Sequence, residues 1–491
     1  MTAGNSADVI IVGAGIAGAS AAIEAATQGA RVIGIDAADG FGGTARLAGG
    51  GACVPGTTMQ KERGVADSPE LAFRDLAAGG HDFDRGWAKA YFERANAEVF
   101  EWLAGLGIAF PDLRHFEGDS VPRFHRPLDG GAGLMAGLWR HGASLGLDRA
   151  WRFGLRMTEL IVTDGTVRGI ICRNAAGGSE EFLAPAVIVA IGGFAANATM
   201  IRRHARWLDR APRVLAGGGP GAQGEAIAIL GRHGVRFGHL GDLYCYATGV
   251  PDYRDPSGER GVVLRGATGW LWLNRDGGRF HDESQATSGN VAVPRLLEQP
   301  QATGWAIFDD AMLAAVTVDD HHVPPGSETG NEAARRHLAH SAHAWQAPSL
   351  EELWQRAGIA PEGAAATIAA WHTLLASGQS RDPATGRPLA GLQALRVPPF
   401  HAVQFFPIGR KAMGGVQTDR TCRALTGDGS CLPGLYAAGE TAGMAGGHIA
   451  GLRPLEGMMV GPSCFSGRIA GAMAADFARG SAGRATGQAA T

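Results

Sequence analysis

The sequence has 491 residues, too many for one small core, so two or three lobes are expected and a single binding module is excluded. Lys plus Arg number 44 against 47 for Asp plus Glu, a formal net charge of -3, which leaves no basic field for a nucleic-acid backbone. Glycine is the outlier at 76 residues, roughly twice the usual share, and its clusters lack a G-X-Y period, which excludes collagen and predicts tight backbone approaches. Cys53, Cys172, Cys245, Cys422, Cys431 and Cys464 show no C-x-x-C spacing, so zinc-ribbon, c-type haem and iron–sulfur ligation have no support. The N-terminal stretch lacks a charged region followed by an apolar one, and no apolar run reaches the ~18 residues of a membrane span. A soluble cytoplasmic protein is expected.

The first element in the chain is a strand, Asp8-Val9-Ile10-Ile11-Val12, whose consecutive apolar residues predict burial on both faces of a parallel sheet. It runs into Gly13-Ala14-Gly15-Ile16-Ala17-Gly18, an Ala-rich helix follows from Ala19 to Gln28, and a second apolar strand, Arg31 to Ile35, ends on Asp36. Strand, glycine turn, helix and terminal acid together make a βαβ dinucleotide unit. Gly13 permits the turn, Gly15 admits pyrophosphate to the backbone, and Gly18 lets the helix pack closely. The helix N-terminus faces the phosphates, and Asp36 accepts a ribose hydroxyl.

Farther along, Phe41-Gly42-Gly43-Thr44-Ala45-Arg46-Leu47-Ala48-Gly49-Gly50-Gly51 resembles the flavin-facing segment of the fumarate reductase and succinate dehydrogenase flavoproteins, a family that includes the 3-ketosteroid 1-dehydrogenases. Ala186 to Gly193 resembles its second FAD strand, and Gly434 to Glu440 the strand whose terminal acid binds the ribityl chain. Gly457 to Gly471 resembles the helix whose first amides face the flavin pyrimidine. The resemblance implies an α/β fold: a split Rossmann-like FAD-binding domain with a parallel sheet (residues 1–240 and 396–491) and an inserted α+β capping domain (241–395). The cofactor contacts it implies are Gly13, Ala14, Gly15, Ile16, Ala17 and Gly18; Asp36 and Ala37; Gly42, Gly43, Thr44, Ala45, Leu47, Gly49, Gly50 and Gly51; Ala190, Gly192 and Gly193; Gly439 and Glu440; and Gly457, Met458 and Met459. Members with covalent flavin carry a histidine in the segment that here reads Gly43-Thr44-Ala45-Arg46, so non-covalent FAD is expected.

Between these motifs, residues 70 to 107 have helical periodicity that includes Trp87, Tyr91, Phe92, Val99 and Trp102. Thr158 to Cys172 is a hairpin signal with Asp164-Gly165 at its turn. The histidines at 321, 322, 337, 340 and 343 are irregularly spaced without an H-E-x-x-H unit, so a solvated surface helix is expected there and no metal. The Ala/Gly/Ser-rich tail after Arg479 is expected to fray.

The same resemblance singles out residues for the chemistry. Arg453 stands where fumarate reductases clamp a carboxylate with arginine and ketosteroid dehydrogenases polarise a ketone with tyrosine; four residues on, the Gly457 amide is the second donor. Pairing of Arg453 with Glu456 or with an acid of the capping domain is the structural alternative. The loop from Glu440 to Arg453 is three residues longer than in those relatives and contains His448. Tyr246, in Tyr244-Cys245-Tyr246-Ala247-Thr248-Gly249, replaces a substrate-binding histidine, with packing as its alternative. Thr287 occupies the position of a proton-transfer arginine or tyrosine, and a threonine hydroxyl is no useful acid or base near neutrality. Lys411, in Lys411-Ala412-Met413-Gly414-Gly415, stands where fumarate reductases have histidine; it can neutralise substrate charge, stabilise an enolate or act as a base, or be a surface cation. Trp270 and Trp272 either shape a pocket or pack in the core.

Together these residues imply an FAD-dependent oxidoreductase that introduces, or reduces, a C=C bond beside a carbonyl or carboxylate by hydride transfer to flavin N5, with Arg453 and the Gly457 amide polarising the substrate oxygen. The stretch Gly50-Gly51-Ala52-Cys53-Val54-Pro55-Gly56 is closer to the ketosteroid dehydrogenase pattern and favours oxidation. The alternatives are an unsaturated-acid reductase, a flavin oxygenase, or a flavoprotein subunit of an electron-transfer complex. The expected partners are a small ketone or carboxylate and an electron acceptor or donor that the sequence does not identify.

Overall fold

Glycine placement and apolar strand runs organise the architecture, seen in a computed structural model that describes residues 5–266, 269–285, 289–323, 326–452 and 455–488, without the side chains of 289, 290 and 482–488. Arg453 and Thr287 lie outside the described residues. The chain divides into two units, one of Met1–Phe194, Gly219–Leu243 and Lys411–Thr491, the other of Ala195–Gly218 and Tyr244–Arg410. The sequence-based boundaries at 240/241 and 395/396 compare with 243/244 and 410/411 here, and 195–218 joins the second unit. Residues 400–410 belong to a long strand, Phe400–Ala412, whose ladders lie in the second unit's sheet, so the chain leaves that unit only past Arg410.

In the first unit, strand β1 (Val9–Val12) pairs in parallel with β2 (Val32–Ile35) on one side and with Ala186–Val189 on the other. Cys431–Ala437 continues the sheet in parallel, Arg423–Leu425 adds an antiparallel edge, and Trp151–Arg152 closes the opposite edge. All four β1 residues are buried, which is why the strand is an unbroken apolar run. Helix α1 (Ile16–Thr27) connects β1 to β2 and packs on the C-terminal helix Val460–Gln488. The two backbones come close because Gly467 and Gly471 face α1 one turn apart: a Cβ there would lie 2.3 Å from the Ala17 carbonyl oxygen and 2.4 Å from that of Ala21. The C-terminal helix continues to Gln488 rather than fraying after Arg479; the Arg479 guanidinium donates to the Gln28 carbonyl at the end of α1 and fastens that turn.

The expected hairpin is present as Leu155–Thr163 and Thr166–Asn174, with Asp164 (φ 50°) and Gly165 (φ 69°) in the left-handed conformations of a type I′ turn. The helical stretch forms Pro69–Gly79 and Arg85–Ala95, capped by Ser68 and Asp84, and buries Trp87, Tyr91, Phe92 and Val99.

The second unit is built on an eight-stranded sheet around Phe400–Ala412, which pairs antiparallel with Gly304–Asp309 and Ala344–Ala347 and parallel with Leu215–Ala216. Trp270 and Trp272 are 2 % and 0 % exposed, so they pack in its core. The histidine-rich stretch differs from the solvated helix expected. Only part of it is helical, Gly330–His340, and that helix turns Ala333, Ala334 and His337 inward, so His337 is buried; His321 is buried on the loop after Thr317–Asp319. Thr329 and Glu332 form the capping box that starts this helix.

Candidate functional site

The first unit gathers its flavoprotein motifs around the N-terminus of α1. Gly13 has φ +107°, a conformation side-chain residues rarely adopt, and a Cβ on it would lie 2.2 Å from the Ala190 carbonyl oxygen. A Cβ on Gly18 would lie 1.8 Å from the Gly13 carbonyl oxygen. Both glycines are thus demanded by the protein's own packing. Gly15 is different: it has extended backbone, caps α1 without a side-chain bond, and a Cβ there would meet no protein atom within 4 Å. A glycine whose packing does not require it, at a helix end rich in amide donors, fits a diphosphate pressed against the backbone.

The neighbouring segments close on this turn. The Gly42 amide donates to the Ala14 carbonyl, and a Cβ on Gly43 would lie 3.1 Å from the Gly15 Cα. Thr44–Leu47, including Ala45, forms a 3₁₀ turn, and Gly49, Gly50 and Gly51 follow; the Gly131 amide, at the start of helix Gly130–Ser144, donates to the Ala48 carbonyl. Asp36, at the end of β2, accepts the Ala14 amide at 2.6 Å and the Ala38 amide at 2.7 Å. Burial raises its carboxyl above the usual range and the two amides partly offset this. Ala37 beside it is exposed. Replacing Asp36 with alanine is expected to weaken FAD retention by roughly 1–3 kcal/mol, the effect of losing a charged hydrogen-bond partner. Flavin dissociation measured by fluorescence checks this, and unchanged retention would move the ribose contact elsewhere.

On the other side of α1, a Cβ on Gly439 would lie 2.7 Å from the Ala17 Cβ, and the Gly439 amide donates to Ser466 Oγ. Glu440 accepts the Ala412 amide at 2.9 Å, and Gly193 lies so close that a Cβ there would sit 2.5 Å from Glu440 Oε1. Burial pushes the Glu440 carboxyl up, opposed by the Ala412 and Gly193 amides and the Lys411 charge. Lys411 is therefore an electrostatic neighbour of Glu440. Thr441 Oγ1 donates to the Gly192 carbonyl, fixing the Gly192-Gly193 turn.

Gly457, Met458 and Met459 precede the C-terminal helix instead of beginning it. Gly457 has φ +91°, which an α-helix cannot accommodate, so the helix starts at Val460. The Cys53 amide donates to the Gly457 carbonyl at 3.2 Å, fixing this turn against strand Ala52–Cys53. His448 lies in the preceding turn, stacked on His239.

In the second unit, Tyr246 is buried with the Arg265 guanidinium 5.1 Å from its ring centre and Tyr244 5.3 Å away. Asp319 accepts from Arg265 at 2.9 Å and from Arg410 at 3.1 Å. His321 Nε2 lies 2.5 Å from the Arg410 guanidinium. Burial would raise the Asp319 carboxyl, but Arg410, His321 and Arg265 hold it well below the usual carboxylate range. The sequence reasoning missed this basic cluster. Arg265 ends one strand and Arg410 lies near the end of another, and no spacing rule links them; the adjacency of Arg410 to Lys411 was the only local signal.

Residues 8–460 match the family described as FAD binding domain. The chain is 30% identical over 477 residues to a fumarate reductase (cytochrome) of Shewanella frigidimarina, covering 96% of this chain and 77% of that one. It is also 30% identical over 564 aligned positions to a KsdD-like steroid dehydrogenase of Mycobacterium tuberculosis, covering 97% of each. The open conformation of a flavocytochrome c3 fumarate reductase superposes with a TM-score of 0.77 at 27% identity, covering 96% of this chain and 79% of the other.

Proposed function

Since the chain belongs to the FAD binding domain family, we propose that it is an FAD-dependent oxidoreductase that forms or saturates a C=C bond next to a carbonyl or carboxylate. The observation carrying this reading is similarity over 96% and 97% of this chain to a fumarate reductase and to a KsdD-like steroid dehydrogenase. A bound flavin supplies the two-electron acceptor or donor. The glycine turn at the start of α1, Asp36 and Glu440 hold it, and the segment Gly43-Thr44-Ala45-Arg46, without a histidine, leaves it non-covalent. Acid precipitation is expected to give a yellow supernatant and colourless protein.

Substrate activation falls to Arg453 and the Gly457 amide, two donors that stabilise negative charge growing on the substrate oxygen as the α C–H proton leaves or arrives. Lys411 adds positive charge in the same unit, with Glu440 as its electrostatic partner. The Thr287 hydroxyl neither gives up nor takes a proton readily near neutrality, so the second proton is handled by another group, with Tyr246 and Lys411 as the candidates.

Reduction of an unsaturated carboxylic acid is the second reading. It is supported by the cluster at Tyr246, where Arg265 and Arg410 both donate to a single carboxylate, Asp319, and leave one positive charge in excess, suited to an anionic substrate. Anaerobic titration of the oxidised protein with saturated cyclic ketones, steroid ketones and short carboxylic acids tests both readings. Bleaching by a ketone supports the first, and reoxidation of the reduced protein by an enoate supports the second. No response to any of these pairs, in either direction, overturns the assignment to carbon–carbon chemistry.

A further inference from the structure

The flavin chemistry leaves unused a buried ionic cluster in the first unit. Arg123, just before strand Phe124–Arg126, has a fully enclosed side chain, as do Asp67 and Asp119, while that of Asp75 is 13% exposed. Arg123 Nε and Nη2 grip Asp67 as a fork at 2.9 and 2.8 Å; Nη1 donates to Asp75 Oδ2 at 2.8 Å and to Asp119 Oδ1 at 2.9 Å. Three carboxylates thus meet one guanidinium. Ionised together they leave two negative charges in excess, and buried charge without a counter-charge is costly.

The three carboxylates are unequally supplied with donors. Asp67 also accepts the Gln60 side-chain amide at 2.7 Å and the Ser68 backbone amide at 2.9 Å. Asp75 also accepts the Ser120 amide and hydroxyl, both at 2.8 Å; burial would raise its carboxyl, but Ser120 and Arg123 hold it below the ordinary value. Asp119 has the single Arg123 bond, and its Oδ2 is buried with no hydrogen-bond partner among the described residues. Burial raises the Asp119 carboxyl to about 7, with Arg123 and His115 opposing the shift and Asp75 adding to it. The Cys53 thiol, the remaining titratable neighbour, is kept neutral by burial.

We infer that Asp119 carries a proton in the folded protein and is a positioning residue for the turn around Gly457. Two contacts link them. Gly118, beside Asp119, lies so near Leu455 that a Cβ on it would be 3.2 Å from Leu455 Cδ2. The Arg123 carbonyl accepts the Val54 amide, and the adjacent Cys53 amide donates to the Gly457 carbonyl. Neutral Asp119 lets its loop rest inward against Leu455. Ionised Asp119 is repelled by Asp75 and Asp67 and drawn towards water, which Glu117, Gly118 and Ser120 already face, so Leu455 loses that support. The consequence for turnover rests on the proposed role of the Gly457 amide; the consequence for stability does not. Folded Asp119 keeps its proton to higher pH than the unfolded chain, so the stability it gives is complete below the ordinary carboxyl value of 3.8 and is lost as the pH rises through about 7.

The test compares holoprotein of the wild type and of Asp119→Asn, whose amide has the shape of the neutral acid, between about pH 5 and pH 9. The Tm of the variant relative to the wild type is expected to climb as the pH passes about 7. The visible flavin band of the wild type is expected to shift with the same midpoint, and that of the variant to stay constant. A Tm difference that does not change with pH overturns the proton on Asp119. A flavin band that ignores pH in the wild type, or responds equally in both proteins, overturns the link to the Gly457 turn. Neither readout uses a substrate, so both stay readable if the assignment to carbon–carbon chemistry fails. Circular dichroism and flavin content establish that the variant is folded; should it not fold, Asp119→Ser carries the same comparison.

Discussion

Gly15→Val is expected to yield a folded protein without flavin. Valine tolerates the extended backbone at this position, and its Cβ would meet no protein atom within 4 Å, so the fold has no reason to reject it. The resemblance, however, implies a diphosphate pressed against the α1 amides at this glycine, and a branched side chain would occupy its path. Gly13 and Gly18 give the contrast, since a Cβ on either collides with backbone and substitution there should damage folding itself. Absorbance of the purified variant, beside its circular dichroism and Tm, separates these outcomes. Recovery of fully flavin-loaded Gly15→Val protein would falsify the placement of the dinucleotide on this turn.

Arg453→Ala is expected to leave the flavin spectrum intact and lower turnover by on the order of 10²-fold or more, as loss of one oxyanion donor does. The family resemblance implies a substrate-polarising donor at this position in two of its branches. Arg453→Lys should rescue little if the contact is bidentate, because an ammonium cannot reproduce the planar fork of a guanidinium. The kinetic pattern also reports the substrate. A rise in KM alone indicates a carboxylate held equally in ground and transition states; an equal fall in kcat and kcat/KM indicates an enolate stabilised only in the transition state. Full activity with a small loss of stability would make the arginine structural and shift the role to Tyr246 and Lys411.

Short-range chemistry specifies the first βαβ unit of this protein. β1, the glycine turn, α1 and β2 are contiguous, and each is specified by short-range chemistry: apolar residues for a strand buried on both faces, glycine where Cβ atoms would collide, an acid at the strand end. The hairpin at Asp164-Gly165 was legible for the same reason, since a type I′ turn is written in two adjacent residues. Where distant segments meet is set by long-range packing. His337 is buried on the face of its helix that Ala333 and Ala334 turn inward, and the C-terminal helix is tied by Arg479 to the end of α1. The grouping of Asp67, Asp75 and Asp119 around Arg123, like that of Arg265, Asp319 and Arg410 beside Tyr246, joins residues from separate elements. No local periodicity encodes such a meeting. It arises only when the sheets bring those chain segments together, and there burial and neighbouring charge give each side chain its chemistry.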